Sequence, residues 1–194
     1  MPLPLKKDDN TWYYRDYRTW PDEERWELIE GVAFDMSPAP SKRHQAISRE
    51  LEFIIYSYLK EKECSIFDAP FDVFLPESGE TIDDITTVVQ PDLVIVCDGK
   101  KLIDQGCMGA PDIVIEITSP STGAKDKKEK HALYQKHGVR EYWIVEPYDN
   151  TVMVFRLDGE DSYGAPLVHT KEDTLETPLF PGLEIALKDV FIDE

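Results

Sequence analysis

The chain has 194 residues, enough for one substantial core and short for two, and a core of that size needs no metal or disulfide staple. Its 41% apolar and 11% aromatic residues exclude a disordered chain, and no apolar run reaches the length of a membrane span. The net charge of −18 argues against non-specific binding to nucleic acid or to an acidic membrane. The opening MPLPLKKDDN has no apolar h-region, so no signal peptide is expected. Residues 1–24, with Trp12, Tyr13, Tyr14, Tyr17 and Trp20, are predicted as an irregular lead-in packed on one domain over 25–194. RWELIEGVAFDM (25–36) predicts two strands about a turn at Gly31. After SPAPS, apolar positions Ile47, Leu51, Ile54, Ile55, Tyr58 and Leu59 recur at helical spacing, with Ser41 as N-cap. SIFDAPFDVFL (65–75) reads as a strand interrupted at Pro70. DLVIVC (92–97) and DIVIEIT (112–118) are short β-branched runs, each led by Pro. Residues 124–137 predict a basic helix stopped by Gly138. EYWIVE (141–146) and TVMVFRL (151–157) flank PYDN as a hairpin, with Tyr142 and Trp143 as packing residues, and one or two short strands follow. The order β-β-α-β-β-β-α-β-β implies a mixed sheet with a helix on each side of the central strands.

The three cysteines, Cys64, Cys97 and Cys107, are odd in number and lack CxxC spacing. Neither a disulfide framework nor a structural zinc site is expected, and a reducing, cytoplasmic setting follows. The charge is patterned. From Glu63 to Gly99 there are nine acidic residues and no Lys or Arg, whereas Lys125 to Arg140 holds six basic residues against Asp126 and Glu129. From Asp158 onward, ten acids face only Lys171 and Lys188. Acidic surfaces confer solubility. The alternative is that carboxylates gather round a divalent cation while one basic element faces a phosphate.

In DIVIEIT, period-two alternation puts Asp112, Val114, Glu116 and Thr118 on one face. Glu116 is then a mid-strand acid among apolar residues, costly unless paired with a base or a metal. Asp112 lies about 13 Å along the strand from Glu116, too far to share an ion, and it serves equally to start the strand. Asp92 opens the other run. It can meet Glu116 if the two strands are adjacent and in register, because neighbouring strands lie about 5 Å apart.

QPDLVIV, PDIVIEITSPSTGAKDKKEK and YQKHGVREYWIVEP together resemble the PD-(D/E)xK restriction-endonuclease-like superfamily, and more narrowly its Uma-two type of endonuclease. RWELIEGVAFDMSPAPSKRHQAI resembles the N-terminal block of that type, so the resemblance covers roughly 20–160. It implies an α/β (α+β) restriction-endonuclease-like core: a mixed central β-sheet flanked by helices, with an additional N-terminal β-hairpin and C-terminal strands. It also implies a metal-dependent phosphodiesterase acting on DNA, with Mg²⁺ (or Mn²⁺) held by Asp92, Glu116 and the carbonyl of Ile117. The superfamily lysine usually lies two residues after the acid, where this chain has Thr118. The resemblance places that lysine on the following helix, at Lys130. Lys130 then stands as the third catalytic residue or as a surface partner of Asp126, four residues before it. Lys127 and Lys128 are expected to contact phosphate.

Glu27 is an accessory candidate, either an outer metal ligand or a partner of Arg25 or of backbone. His44 is a candidate for the site edge or a DNA phosphate, or a structural histidine. Asp112 and Asp126 complete the accessory set. Two symmetric sites suit cleavage of both strands of a duplex, so a homodimer through the aromatic lead-in is expected. The competing function is a catalytically inactive protein of this fold serving as a binding or assembly module, which the missing in-register lysine and the net charge favour. A glycosidase would need an aromatic-platformed sugar cleft, and no phosphate loop or nucleophile elbow occurs.

Overall fold

The computed structural model describes residues 10–21, 24–36, 39–119, 126–159 and 162–192. The hairpin β1 (Trp26–Ile29) and β2 (Val32–Asp35) turns through Glu30 and Gly31, both at positive φ (49° and 78°), the requirement of a tight two-residue loop. A Cβ on Gly31 would come within 2.7 Å of Thr11 Cγ2. Helix α1 (Tyr14–Tyr17) precedes the hairpin and α2 (Lys42–Leu59) follows it. The Ser41 hydroxyl accepts the N–H of His44 at 3.2 Å, which caps α2 as expected.

The run over 65–75 is not one strand. β3 (Ser65–Asp68) and β4 (Asp72–Phe74) join different sheets, separated at the cis Ala69–Pro70 bond. β5 (Val88–Val89), β6 (Leu93–Val96), β7 (Leu102–Ile103), β8 (Gly106–Met108) and β9 (Ile113–Ile117) follow. A π-helical turn at Asp126–Lys130 runs into α3 (His131–His137), and Gly138 ends it at φ 81°. The predicted start of that helix, 124–125, and the turn at 120–123 lie outside the described residues. β10 (Glu141–Glu146) and β11 (Thr151–Arg156) form the expected hairpin. β12 (Leu167–Thr170), β13 (Thr174–Glu176), β14 (Glu184–Ala186) and α4 (Leu187–Val190) complete the chain.

Where one central sheet was expected, there are two large ones. Their orders are β2-β1-β5-β4-β8-β7 and β12-β11-β10-β9-β6-β3, with β13-β14 as a separate pair. In the second sheet β9 and β10 are parallel and joined through α3. Ile113, Ile115 and Ile117 face α2, where Ile47, Leu51 and Ile55 cover them; Val114 and Ile144 face the other way, under Leu133 and Tyr134 of α3. The two helices therefore sandwich the central strands, as the alternation required. Tyr142 and Trp143 are fully buried, as expected.

The aromatic lead-in packs on the chain but stays partly exposed except at Tyr14. Tyr14 is buried edge-on against Phe74 at 4.8 Å, and Trp12, Tyr17, Trp20 and Trp26 pack on the same small core. The cysteine expectation is also corrected: Cys64 and Cys97 form a disulfide. Ser65 pairs with Val96, so the residues just outside that pair fall opposite one another, with Cα atoms 3.9 Å apart. Their neighbourhood is made by strand pairing between residues 33 apart, which no spacing rule reveals. Cys107 is buried, and burial pushes its thiol up to about 11. Among the described residues no helix is long and apolar enough to cross a membrane.

Candidate active site

β6 and β9 pair antiparallel, with Leu93 opposite Ile115 and Val94 opposite Val114. Extending that register by one residue sets Asp92 opposite Glu116. The backbone N–H of Ile117 donates to Asp92 Oδ2 at 2.7 Å, which ties the aspartate to the end of β9. On its other oxygen, Oδ1, Asp92 meets His44 Nε2 at 3.2 Å. The capped first turn of α2 thus brings His44 to Asp92.

Glu116 is only 4% exposed, and Lys130 equally so. Lys130 Nζ lies 2.7 Å from Glu116 Oε1, and the Tyr134 hydroxyl donates to the same oxygen at 2.9 Å. Lys130 and Tyr134 are four residues apart across the junction of the π-turn and α3, so one helical face presents both. A π-turn inside a helix re-aims the side chains on it and occurs often at functional sites. Lys130 Nζ also lies 2.8 Å from Glu27 Oε1. Glu27, 2% exposed on β1, accepts the backbone N–H of Gln90 at 3.0 Å. It therefore pairs with Lys130 and with backbone rather than with Arg25.

Asp112 sits elsewhere. Its Oδ2 accepts the N–H of Cys97 at 2.8 Å and its Oδ1 pairs with Arg140 at 3.2 Å, so it anchors the start of β9. Thr118 is buried, and its hydroxyl donates to Glu146 Oε2 at 2.7 Å. Lys128 is exposed, and the side chains of Asp126 and Lys127 lie outside the described residues. Of the basic segment, Lys136 bridges Glu30 and Glu77 at 3.2 and 2.7 Å, and those contacts hold its ammonium above its ordinary pKa.

Tyr134 and Gln90 were not among the expected site residues. The four-residue step from Lys130 signals Tyr134. Nothing signals Gln90, because it acts through backbone.

Among the described residues no three His, Cys, Asp or Glu side chains converge as a metal cluster. The donor chemistry nevertheless fits a hard divalent ion, which takes oxygen ligands from one or two carboxylates and leaves the rest to water and phosphate. The charge fits too. Glu116 and Glu27 flank the Lys130 ammonium, and Asp92 stands opposite Glu116 on the neighbouring strand. Buried negative charge is costly without a cation.

The model of the Uma2 family, described as "Putative restriction endonuclease", matches residues 14–188. An uncharacterised protein of Synechocystis, slr1290, is 26% identical over 178 residues, covering 91% of this chain and 89% of that protein. A crystal structure from Anabaena variabilis, described as a "putative nuclease belonging to DUF820", superposes with a TM-score of 0.70 at 23% identity, covering 91% of this chain and 96% of that one. That likeness shows a shared fold.

Proposed function

The chain belongs to the Uma2 family, and we propose that it is a metal-dependent DNA endonuclease whose catalytic residues are Asp92, Glu116 and Lys130. The observation that carries this reading is the Lys130 ammonium, buried between the carboxylates of Glu27 and Glu116 one strand from Asp92. A fold does not need such an arrangement: apolar residues of similar volume stabilise as well or better.

Asp92, Glu116 and the Ile117 carbonyl would hold Mg²⁺ or Mn²⁺. Such an ion supplies Lewis acidity at a scissile phosphate and a more acidic water. The chain's own residues do the positioning. The Ile117 N–H and His44 fix the rotamer of Asp92 from two sides. Tyr134 and Lys130 hold Glu116 through Oε1, and we assign its Oε2 to the ion. Glu27, clamped by the Gln90 N–H, holds Lys130 in place and is a positioning residue. Lys130 orients the attacking water or meets charge developing on the phosphate.

Lys128 is exposed and serves as a phosphate contact in this reading, as does Lys127, its neighbour in sequence. Lys128→Ala should weaken DNA binding uniformly across sequences and lower the salt slope by about one unit, with the single-turnover rate unchanged. Filter binding at several salt concentrations checks it.

Residues 25–194 act as one domain here, with 1–24 as lead-in. We place the protein in the cytoplasm with its DNA, although the Cys64–Cys97 bond is unusual for that compartment. A homodimer, one site per strand, also belongs to this reading. Light scattering at tens of micromolar should give twice the 22.3 kDa of the chain, and a monomer mass would remove the claim.

The test of function is cleavage of plasmid and single-stranded DNA with Mg²⁺ or Mn²⁺. Metal-dependent cleavage abolished by Glu116→Gln supports the enzyme. DNA binding without cleavage under every metal supports the inactive binding module instead.

A further inference from the structure

Beside the active site lies a cleft of about 320 Å³, lined by residues of the lead-in, β1, β4 and the link after β5. Gln90 joins the two places. Its backbone N–H holds Glu27, the partner of Lys130, while its side chain forms part of the cleft wall. In sequence it stands two residues before Asp92. A strand with one phosphate at the catalytic carboxylates therefore has a neighbouring nucleotide within reach of the cleft.

The lining is specific in chemistry. Trp20 and Trp26 lie edge to face with centroids 5.8 Å apart, and both line the cleft. The amide of Gln90 is used up: Nε2 donates to Asp72 Oδ1 at 2.9 Å and to the Tyr17 hydroxyl at 3.1 Å, and Oε1 accepts from Arg25 Nη2 at 3.1 Å. Asp72 Oδ1 also takes the Tyr17 hydroxyl, at 3.3 Å. One acceptor is left over: Asp72 Oδ2 makes no hydrogen bond among the described residues. Burial, above all, pushes the Asp72 carboxyl above its ordinary pKa, so its charge is held at a cost that a donor would offset.

We propose that this cleft is a nucleobase subsite, taking one unpaired base of the DNA strand in the active site, with preference for a base bearing an exocyclic amino group. The volume, at the lower end of ligand pockets, holds one heterocycle. Flat aromatic surfaces stack any base. The free oxygen of Asp72 selects among bases: cytosine, adenine and guanine each offer an exocyclic amino donor, whereas the one donor of thymine, N3–H, lies between two carbonyls that the carboxylate repels. A base reaches such a cleft only when it is out of the stack, so single-stranded or distorted DNA is the favoured substrate.

The ligand class rests on the nuclease reading, but the test does not need cleavage. Fluorescence anisotropy of labelled single-stranded pentamers, in EDTA and again with Ca²⁺, measures binding alone. Wild type should bind oligo-dC and oligo-dA about tenfold more tightly than an abasic pentamer, the scale of one base stacked on an aromatic ring. It should bind them severalfold more tightly than oligo-dT. Asp72→Asn should erase the discrimination against dT while keeping the base dependence. Trp26→Leu should reduce the base dependence itself. Equal affinity of wild type for abasic and base-bearing strands, or no binding of any strand in either condition, overturns the proposal, as does unchanged discrimination in Asp72→Asn. Base-dependent binding with no cleavage under any metal would sink the endonuclease and leave the subsite standing.

Discussion

Replacing Lys130 with alanine should lower the rate of phosphodiester cleavage by a factor on the order of 10² to 10³, as for loss of one preorganised donor that meets developing charge. The same substitution should destabilise the fold by about 3–5 kcal/mol, because it strands Glu27 and Glu116 as buried carboxylates facing each other. The two effects have different origins and can be separated. Adding Glu27→Gln to Lys130→Ala removes one of the stranded charges, and urea unfolding should show part of the stability restored. The cleavage rate should stay low, since no ammonium has returned. Divalent-ion affinity should not fall in either variant, because both keep Asp92 and Glu116 and lose the ammonium that competes with an ion for Glu116. A full single-turnover rate in Lys130→Ala would overturn the assignment. Full activity there with loss in Lys127→Ala would move the role three residues back along the chain, and full activity in both would mean that no lysine of this helix takes part.

The strands that carry the site were legible because they are short β-branched runs led by Pro-Asp, and their alternation alone put Glu116 on one face with Val114. Register followed from the same pattern: a one-residue slip would have turned Glu116 away from α3 and an isoleucine toward it. The placement of Lys130 came from a family resemblance, not from spacing, and the helix on which it was expected begins as a π-turn. What stayed hidden has a common cause. Glu27 meets Lys130 across more than a hundred residues, and His44 meets Asp92 across nearly fifty, so neither pairing has a local signature. Two-residue strands such as β5 and β7 carry no period, which is why the second large sheet went unseen and SIFDAPFDVFL read as one strand. Gln90 works through a backbone N–H that any residue but proline would supply.

The second large effect belongs to Asp92. Asp92→Ala should abolish binding of Mn²⁺ at the site and lower cleavage by a factor on the order of 10³ or more, because the proposed function makes Asp92 a carboxylate that would coordinate the ion and its loss would take the Lewis acid with it. The cost in stability should be smaller than for Lys130→Ala. Asp92 is half-buried, and its removal frees one backbone N–H, that of Ile117, and one histidine edge rather than two facing charges. An unsatisfied buried donor of that kind costs about 1–3 kcal/mol. Asp92→Asn separates the roles further. Its amide oxygen can still accept from Ile117 and keep the end of β9 in place, yet it brings no charge to an ion. Calorimetric titration of Mn²⁺ into wild type, Asp92→Asn and Asp92→Ala, beside urea unfolding of each, reads both quantities. Loss of Mn²⁺ binding in the two variants, with near wild-type stability in Asp92→Asn, is the expected pattern. Equal binding in all three would mean that Asp92 holds β6 to β9 and no ion, and the metal would have to sit on Glu116 without it.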